Sequence, residues 1–344
     1  MPSALVFGSA GQLGAAVAER LLSLGWDVWA VTRNRRLPPP AVARGGARLL
    51  DGTGKSRAAV IAGLAHPVDA VFDPTAYDGA DARDLLQART QFGGLVVVSS
   101  ASVYAGPDGR SLVETSQSGL ADSSRPITED APTVAPGDDG YPARKIALER
   151  ALLDSGAPVS ILRPCAVYGR SSTHPREWWF IKRALDARKA IPVAYGARSV
   201  FHTSSARGVA DLAADCMEKP GPRVLNAADR SVLSVRDIAT AISRTTGLEL
   251  HLAPFQGPPV GPSHIGSTPW SCELPFVLDT ARAVRLGCEG RDYGQDVAEV
   301  CRWVLEVARD GDWKAQFSGF SRYGYDPFDY AAEDEFLATA QPGS

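Results

Sequence analysis

Short, uniformly apolar runs alternate with helix-length periodic segments over about the first 165 residues of this chain, which limits the fold more than any other feature. Ala4–Phe7, Asp27–Val31, Ala47–Leu50, Ala70–Phe72, Leu95–Val98 and Val159–Leu162 read as strands. Leu13–Leu24, Arg57–Leu64, Ala80–Gln87 and Tyr141–Asp154 carry helical periodicity. Strands that are apolar on both sides need cover on both faces, and intervening helices supply it. The expectation is an α/β chain built on a doubly wound parallel sheet, with ligands bound beyond the carboxyl ends of its strands.

From Ala105 to Gly140 the chain is rich in Gly, Pro, Ser and Asp and loses periodicity, which marks a long surface excursion. After Gly169 come isolated helices at Glu177–Ala187 and Ser234–Thr246, with short strands near Val200 and at Arg223–Asn226. A length of 344 residues with 44% hydrophobic content accommodates two domains. Residues 1–169 with about 204–228 form the first in this reading; about 170–203 and 229–344 form a smaller C-terminal substrate domain. From Gly311 the tail carries Phe317, Phe320, Tyr323, Tyr325, Phe328 and Tyr330, too many aromatics for simple disorder. It clamps a partner subunit, covers the cleft or packs along its own domain.

A net charge of -3 and a pI near 6.0 argue against a general nucleic-acid binder. Cys165, Cys216, Cys272, Cys288 and Cys301 are odd in number, scattered and free of C-x-x-C spacing, as expected for reduced thiols in a cytoplasmic protein. The first residues run straight into a strand pattern without a leader, and no apolar run reaches the roughly 18–20 residues of a membrane span. No metal site is expected: the five His, among them His174 and His202, lack ligand spacing.

In Leu5-Val6-Phe7-Gly8-Ser9-Ala10-Gly11-Gln12-Leu13-Gly14, glycines three apart stand where a strand passes into a helix. Glycine permits the tight turn, lets backbone approach a pyrophosphate and brings helix against strand, while the helix start offers N–H groups to the anion. The bland alternative is a turn that serves chain geometry alone. After the second strand come Thr32-Arg33-Asn34-Arg35-Arg36, with no acidic residue. Arg33 there suits a ribose 2′-phosphate, so NADP is preferred over NAD; a solvated basic turn is the other reading. Asp51, before Gly52, either accepts from an adenine amino group or caps the following turn.

Tyr141 and Lys145 are four apart, hence on one face of a helix. A neighbouring ammonium is expected to lower a phenol from its ordinary pKa near 10, making Tyr141 an acid/base group for a substrate hydroxyl. The spacing alone is a weak signal. The fifth strand ends in Ser99-Ser100-Ala101-Ser102, so Ser100 either bonds the reacting oxygen or only forms a turn.

Together these residues resemble the extended short-chain dehydrogenase/reductases, the NAD(P)-dependent epimerase/dehydratase group. The likeness also covers Ser-Ser-x-x-Val-Tyr at 99–104, Pro126–Asp130, Leu162-Arg163-Pro164-Cys165-Ala166-Val167-Tyr168-Gly169, Arg198-Ser199-Val200-Phe201-His202, Leu225-Asn226 and Leu278-Asp279-Thr280. It implies a Rossmann-type first domain, a homodimer, and Ser100, Tyr141 and Lys145 as the catalytic triad, with Lys145 also holding the nicotinamide ribose. It implies cofactor contacts at Gly8, Ala10, Gly11, Gln12, Leu13, Gly14, Arg33, Asp51, Gly52, Pro74, Thr75, Ala76, Tyr141, Lys145 and Pro164. Ser102, Tyr168 and Arg198 become substrate contacts, Arg198 through its planar fork.

Three departures stand out: Ala166 where the family commonly has Asn, Ser199 where an acidic residue is expected, and Ala105 where glycine follows Val-Tyr. They spare the redox residues and put a standard nucleotide sugar in doubt. Trp178, with Trp179 and Phe180, either lines a more apolar substrate pocket or forms the buried face of a short helix. The expected activity is hydride transfer at a hydroxyl or carbonyl carbon of a sugar-like or other small molecule. Two alternatives stand beside it: an NADPH-dependent ketone/aldehyde reductase, and a non-catalytic dinucleotide-sensing or RNA-associating relative.

Overall fold

Seven parallel strands form the central sheet in the computed structural model, which describes residues 1–34, 36–113 and 125–339. The first six are β1 (Ser3–Val6), β2 (Asp27–Thr32), β3 (Arg48–Asp51), β4 (Val68–Asp73), β5 (Phe92–Val98) and β6 (Val159–Pro164). The seventh, Arg223–Ala227, lies beside β6, and the order across the sheet continues β5, β4, β1, β2, β3. All six expected strands are present. Strand side chains alternate between faces, and here the alternation feeds two cores. Ala4, Val6, Ala70, Phe72, Val96 and Val98 point into one; Leu5, Val71, Leu95 and Val97 point into the other.

Helices α1 (Gln12–Ser23) and α7 (Ala206–Glu218) cover the first face, while α3 (Arg57–Ala62), α4 (Gly79–Gln87) and α5 (Gly140–Leu153) cover the second. A short α2 (Pro40–Arg44) leads into β3. β5 starts three residues before its expected Leu95, through Gly93 and Gly94, which strand propensity disfavours. Close packing explains both glycines: a Cβ on Gly93 would come within 2.8 Å of the Asp69 carbonyl, and one on Gly94 within 3.1 Å of Pro220.

The described chain divides into two units, the first being Met1–Val167, Ser204–Arg230 and Leu278–Arg291. Segment 278–291 was expected in the substrate domain, and it belongs instead to the sheet unit. Leu278 bridges Ile127, the Asp279 carbonyl accepts from Asn226 Nδ2 at 2.9 Å, and α9 (Ala281–Leu286) buries Ala283 in the first core. Residues 114–124, inside the expected surface excursion, and Arg35 lie outside the described residues.

The second unit holds α6 (Trp178–Leu185), α8 (Val235–Thr246), α10 (Tyr293–Arg309) and a parallel pair, Ile191–Val193 with Leu252–Pro254. No strand forms at Val200; its neighbour Phe201 makes one bridge to Phe276. The aromatic tail packs along its own unit. Phe317 meets Trp178, Phe320 and Tyr323 meet His174, and Tyr325 stacks on His264. Arg183, buried on α6, pairs with buried Glu333 at 2.5 Å and lies 3.5 Å from the centre of the Trp179 ring. All five cysteines are buried and none forms a disulfide, and no described helix is long and apolar enough to cross a membrane.

Glu177, at the start of α6, is fully buried. Its Oε1 accepts from the Tyr293 hydroxyl at 3.1 Å, and Oε2 has no partner among the described residues. Burial raises its pKa, so the folded chain favours the protonated form. That contribution is whole below the ordinary carboxylate range and is lost as pH rises through the folded value. Thermal melts of Glu177→Gln should therefore show a weaker loss of stability as pH rises above the ordinary carboxylate range, with a gain on the order of 1 kcal/mol once the buried carboxyl has ionised. Parallel pH curves for variant and parent would refute the assignment.

Candidate active site

The turn between β1 and α1 is set by glycine. Gly8 has φ +62°, and the Gly11 N–H closes onto the Gly8 carbonyl at 2.8 Å. A Cβ on Gly14 would stand 2.2 Å from that same carbonyl oxygen, so only hydrogen lets α1 approach β1 this closely. No side chain caps α1, which leaves its first turn able to face an anion through backbone N–H groups. Leu13 turns its side chain onto the core, so its backbone alone can serve a ligand.

Gly8, Ala10, Gly11 and Thr75 line one part of a groove of about 660 Å³; Arg33, Arg36, Thr53 and Lys55 line another. No acidic side chain lines it, and Arg33, Arg36 and Lys55 form no ion pair among the described residues. Asp51 takes the capping role of its two open roles: Oδ1 accepts from the Thr53 N–H at 2.9 Å and hydroxyl at 2.5 Å. Gly52 lines the groove beside it. Thr53 and Lys55 were not expected here, and only their nearness to Asp51 in sequence hinted at them; Arg36 belongs to the basic run expected at the ribose.

Tyr141, Lys145 and Glu149 fall at successive steps of four along α5, and so on one face. Lys145 is only 4% exposed and donates to the Ala76 carbonyl at 2.6 Å and the Val98 carbonyl at 2.9 Å, at the carboxyl ends of β4 and β5. Its Nζ lies 5.7 Å from the Tyr141 ring centre and 5.9 Å from that of Tyr77. Ser100 Oγ accepts from the Ser102 N–H at 3.1 Å and hydroxyl at 2.9 Å. Glu149, not foreseen, receives both arms of buried Arg163 on β6 at 2.5 and 3.0 Å, which fixes the rotation of the helix.

The expected lowering of the Tyr141 phenol is absent. Burial raises it above its ordinary value, although 39% of the residue is exposed, and a hydrogen bond with Ser100 offsets part of the rise. The ammonium is committed to two backbone carbonyls, and burial lowers Lys145 itself to about 8. At neutral pH the pair is a protonated phenol beside a mostly charged amine.

A sequence model of the NAD dependent epimerase/dehydratase family matches residues 4–246. The chain belongs to that family. No curated protein matches it. Among solved structures, the Bordetella bronchiseptica enzyme WbmH, in complex with NAD+, is 17% identical at a TM-score of 0.66, covering 89% of this chain and 99% of that one. MoeE5, in complex with UDP-glucose and NAD, is 21% identical at 0.61, with 89% and 99% covered. UDP-glucose-4-epimerase from Stenotrophomonas maltophila, with bound NAD and formylated UDP-arabinopyranose, is 19% identical at 0.66, with 90% and 100% covered. At these identities the likeness establishes the fold.

Two of the expected substrate contacts are buried within the second unit. Trp178 is 3% exposed and packed between Trp313 and Phe317, so α6 takes the buried-helix alternative rather than lining a pocket. Tyr168 is likewise buried, its ring 4.7 Å from that of Tyr293. Arg198 stays exposed and donates to Gln256 at 2.9 Å. It follows three left-handed residues, Tyr195, Gly196 and Ala197. Ala166 also has a positive φ, +29°, a conformation that the Asn common at this position adopts more readily. Pro164 ends β6 in the buried sheet.

Proposed function

We propose that this family member transfers hydride at a hydroxyl or carbonyl carbon of a small molecule, with Tyr141 as acid/base group and NADP as the preferred dinucleotide. The observation that carries the catalytic part is Lys145, buried and charged at the ends of β4 and β5, against Tyr141. A non-catalytic relative has no physical requirement for a buried ammonium there.

The first turn of α1 would hold the pyrophosphate, and Arg33, Arg36 and Lys55 a ribose phosphate. The turn suits such a group: Gly8, Ala10 and Gly11 line the groove beside the uncapped first turn of α1, and a side chain at Gly8 would press on Thr75, which also lines it. When bound, the dinucleotide supplies a hydride acceptor or donor beside the reacting carbon. Ser100 orients the substrate oxygen, Tyr141 gives or takes its proton, and Lys145 balances the charge that develops on the phenol oxygen.

Nucleotide sugars are the first substrates to test, since MoeE5 and the epimerase were solved with them. Ala166 and Ser199 favour a different small molecule. The cationic groove and the protonated phenol also support a second reading, an NADPH-dependent ketone or aldehyde reductase.

Mass spectrometry of the co-purifying dinucleotide, with NADPH and NADH titrations followed by tryptophan fluorescence, tests the cofactor. Charge-assisted contacts contribute about 1.5–3 kcal/mol each, so NADPH should bind at least about 10-fold tighter than NADH. Arg33→Ser, Arg36→Ser and Lys55→Ser together should erase that difference. Tight retention of NAD+ with NADH preferred over NADPH ends the NADP assignment.

A further inference from the structure

Asp73, a fully buried carboxylate, closes β4 next to the dinucleotide groove. Its Oδ1 accepts from the Thr75 N–H and hydroxyl, both at 2.7 Å, and from the Ala76 N–H at 3.1 Å. Its Oδ2 takes Arg57 Nε at 2.5 Å. The remaining arms of Arg57 reach Asp81 at 2.7 Å and the Thr75 hydroxyl at 3.3 Å, while Asp84 holds the Arg57 backbone N–H at 2.6 Å. One carboxylate therefore gathers the whole Pro74–Ala76 turn and ties it to α3 and, through Arg57, to α4. The turn carries two groups that matter for the site. Thr75 stands against Gly8, where an added methyl would come within 2.7 Å of it, and the Ala76 carbonyl receives Lys145 Nζ.

Resting on the reading of Lys145 as the catalytic cation, we propose that Arg57, Asp73 and Asp81 form a positioning device for Lys145, fixing the carbonyl beneath the ammonium and balancing its charge. A knot of buried and half-buried ions contributes little net stability in general, because desolvation and solvent screening offset the attraction. A role in placing charge accounts better for its location. The groups facing Lys145 are Asp73 from β4, Asp81 from α4, Arg57 from α3, Glu149 and the Tyr141 ring from its own helix, and the Tyr77 ring. Burial lowers the amine most; Asp73, Asp81 and Glu149 raise it, and Arg57 lowers it. Without the two aspartates the ammonium would lose its proton nearer neutral pH.

Six lysines, at 55, 145, 182, 189, 219 and 314, make an NMR titration of ¹³C-labelled lysine side chains tractable, with Lys145→Met assigning the signal. In the parent the Lys145 midpoint should fall at about 8. Asp73→Asn and Asp81→Asn should each move it down by on the order of one pH unit. A variant that merely loosened the fold and admitted water would move it up, towards an ordinary lysine near 10.4. Asp84→Asn loosens the α3–α4 contact without facing Lys145 and should leave the midpoint in place. If Asp73→Asn does not fold, Asp81→Asn carries the test, its carboxylate being 25% exposed. An unmoved or raised midpoint in folded Asp81→Asn overturns the proposal. Dinucleotide titration of the same samples separates the two claims: a parent that binds neither NADPH nor NADH removes the functional reading, whereas a binding parent with an unmoved variant midpoint removes only the positioning role.

Discussion

Tyr141→Phe is expected to bind the dinucleotide with unchanged affinity and to lose turnover on the order of 10³-fold. The substitution removes one oxygen and, with it, the hydrogen bond to Ser100. The ring keeps its tilted contact with Tyr77 at 5.7 Å and its face towards Lys145, and Ser100 keeps its bonds from Ser102. Stability should therefore stay within about 1.5 kcal/mol of the parent, the net worth of one hydrogen bond. The raised phenol pKa also fixes a direction. A group that stays protonated at pH 7 is ready to donate, so carbonyl reduction should run well at neutral pH. Hydroxyl oxidation, which needs the phenolate, should quicken as pH climbs into the alkaline range. Lys145→Met should slow both directions and remove the titration at about 8. Single-turnover rates from pH 6 to 10 would decide the matter, and a Phe variant at the parent rate would end the acid/base assignment.

The parts of this site that sequence reveals are those whose physics is local. Uniformly apolar runs such as Leu95–Val98 have few uses other than a strand covered on both faces, so the sheet was legible. The Gly8/Gly11/Gly14 spacing and the Tyr141/Lys145 step were legible for the same reason: each records a constraint within one turn of chain. Partnerships across the fold left no such trace. Arg57 meets Asp73 and Asp81 from 16 and 24 residues away, and nothing in the segment around Arg57 announces it. Glu149 continues the helical step of four, but its partner Arg163 arrives on another strand. Trp178 shows the opposite difficulty. A row of aromatics reads equally as pocket lining or as core, and only the packing of Trp313 and Phe317 decides. Leu278–Arg291 rejoins the first unit through contacts to Ile127 and Asn226, more than 50 residues earlier in the chain.

Gly14→Ala should be the most damaging single change in the glycine turn beside the groove. The new methyl would lie 2.2 Å from the Gly8 carbonyl oxygen, 2.5 Å from its carbon and 2.8 Å from the Phe7 carbonyl oxygen. All three are backbone atoms, so no rotamer relieves the clash. β1 cannot retreat, being paired on both sides with β2 and β4. The helix must move instead, and α1 is held by Ala15, Val17, Ala18 and Leu21 in the core shared with α7. Displacing it costs on the order of 3 kcal/mol and spoils the turn that faces the pyrophosphate. Gly11→Ala separates the two effects. Its methyl would meet only the Gly8 carbonyl, at 3.3 Å, and Gly11 has an ordinary φ of -100°. That variant should melt near the parent yet bind dinucleotide more weakly, because the methyl stands where the backbone must approach the ligand. Melting curves with and without NADPH distinguish the pair. A Gly14→Ala protein with parental melting temperature and affinity would mean that the close approach of helix to strand does not govern the groove.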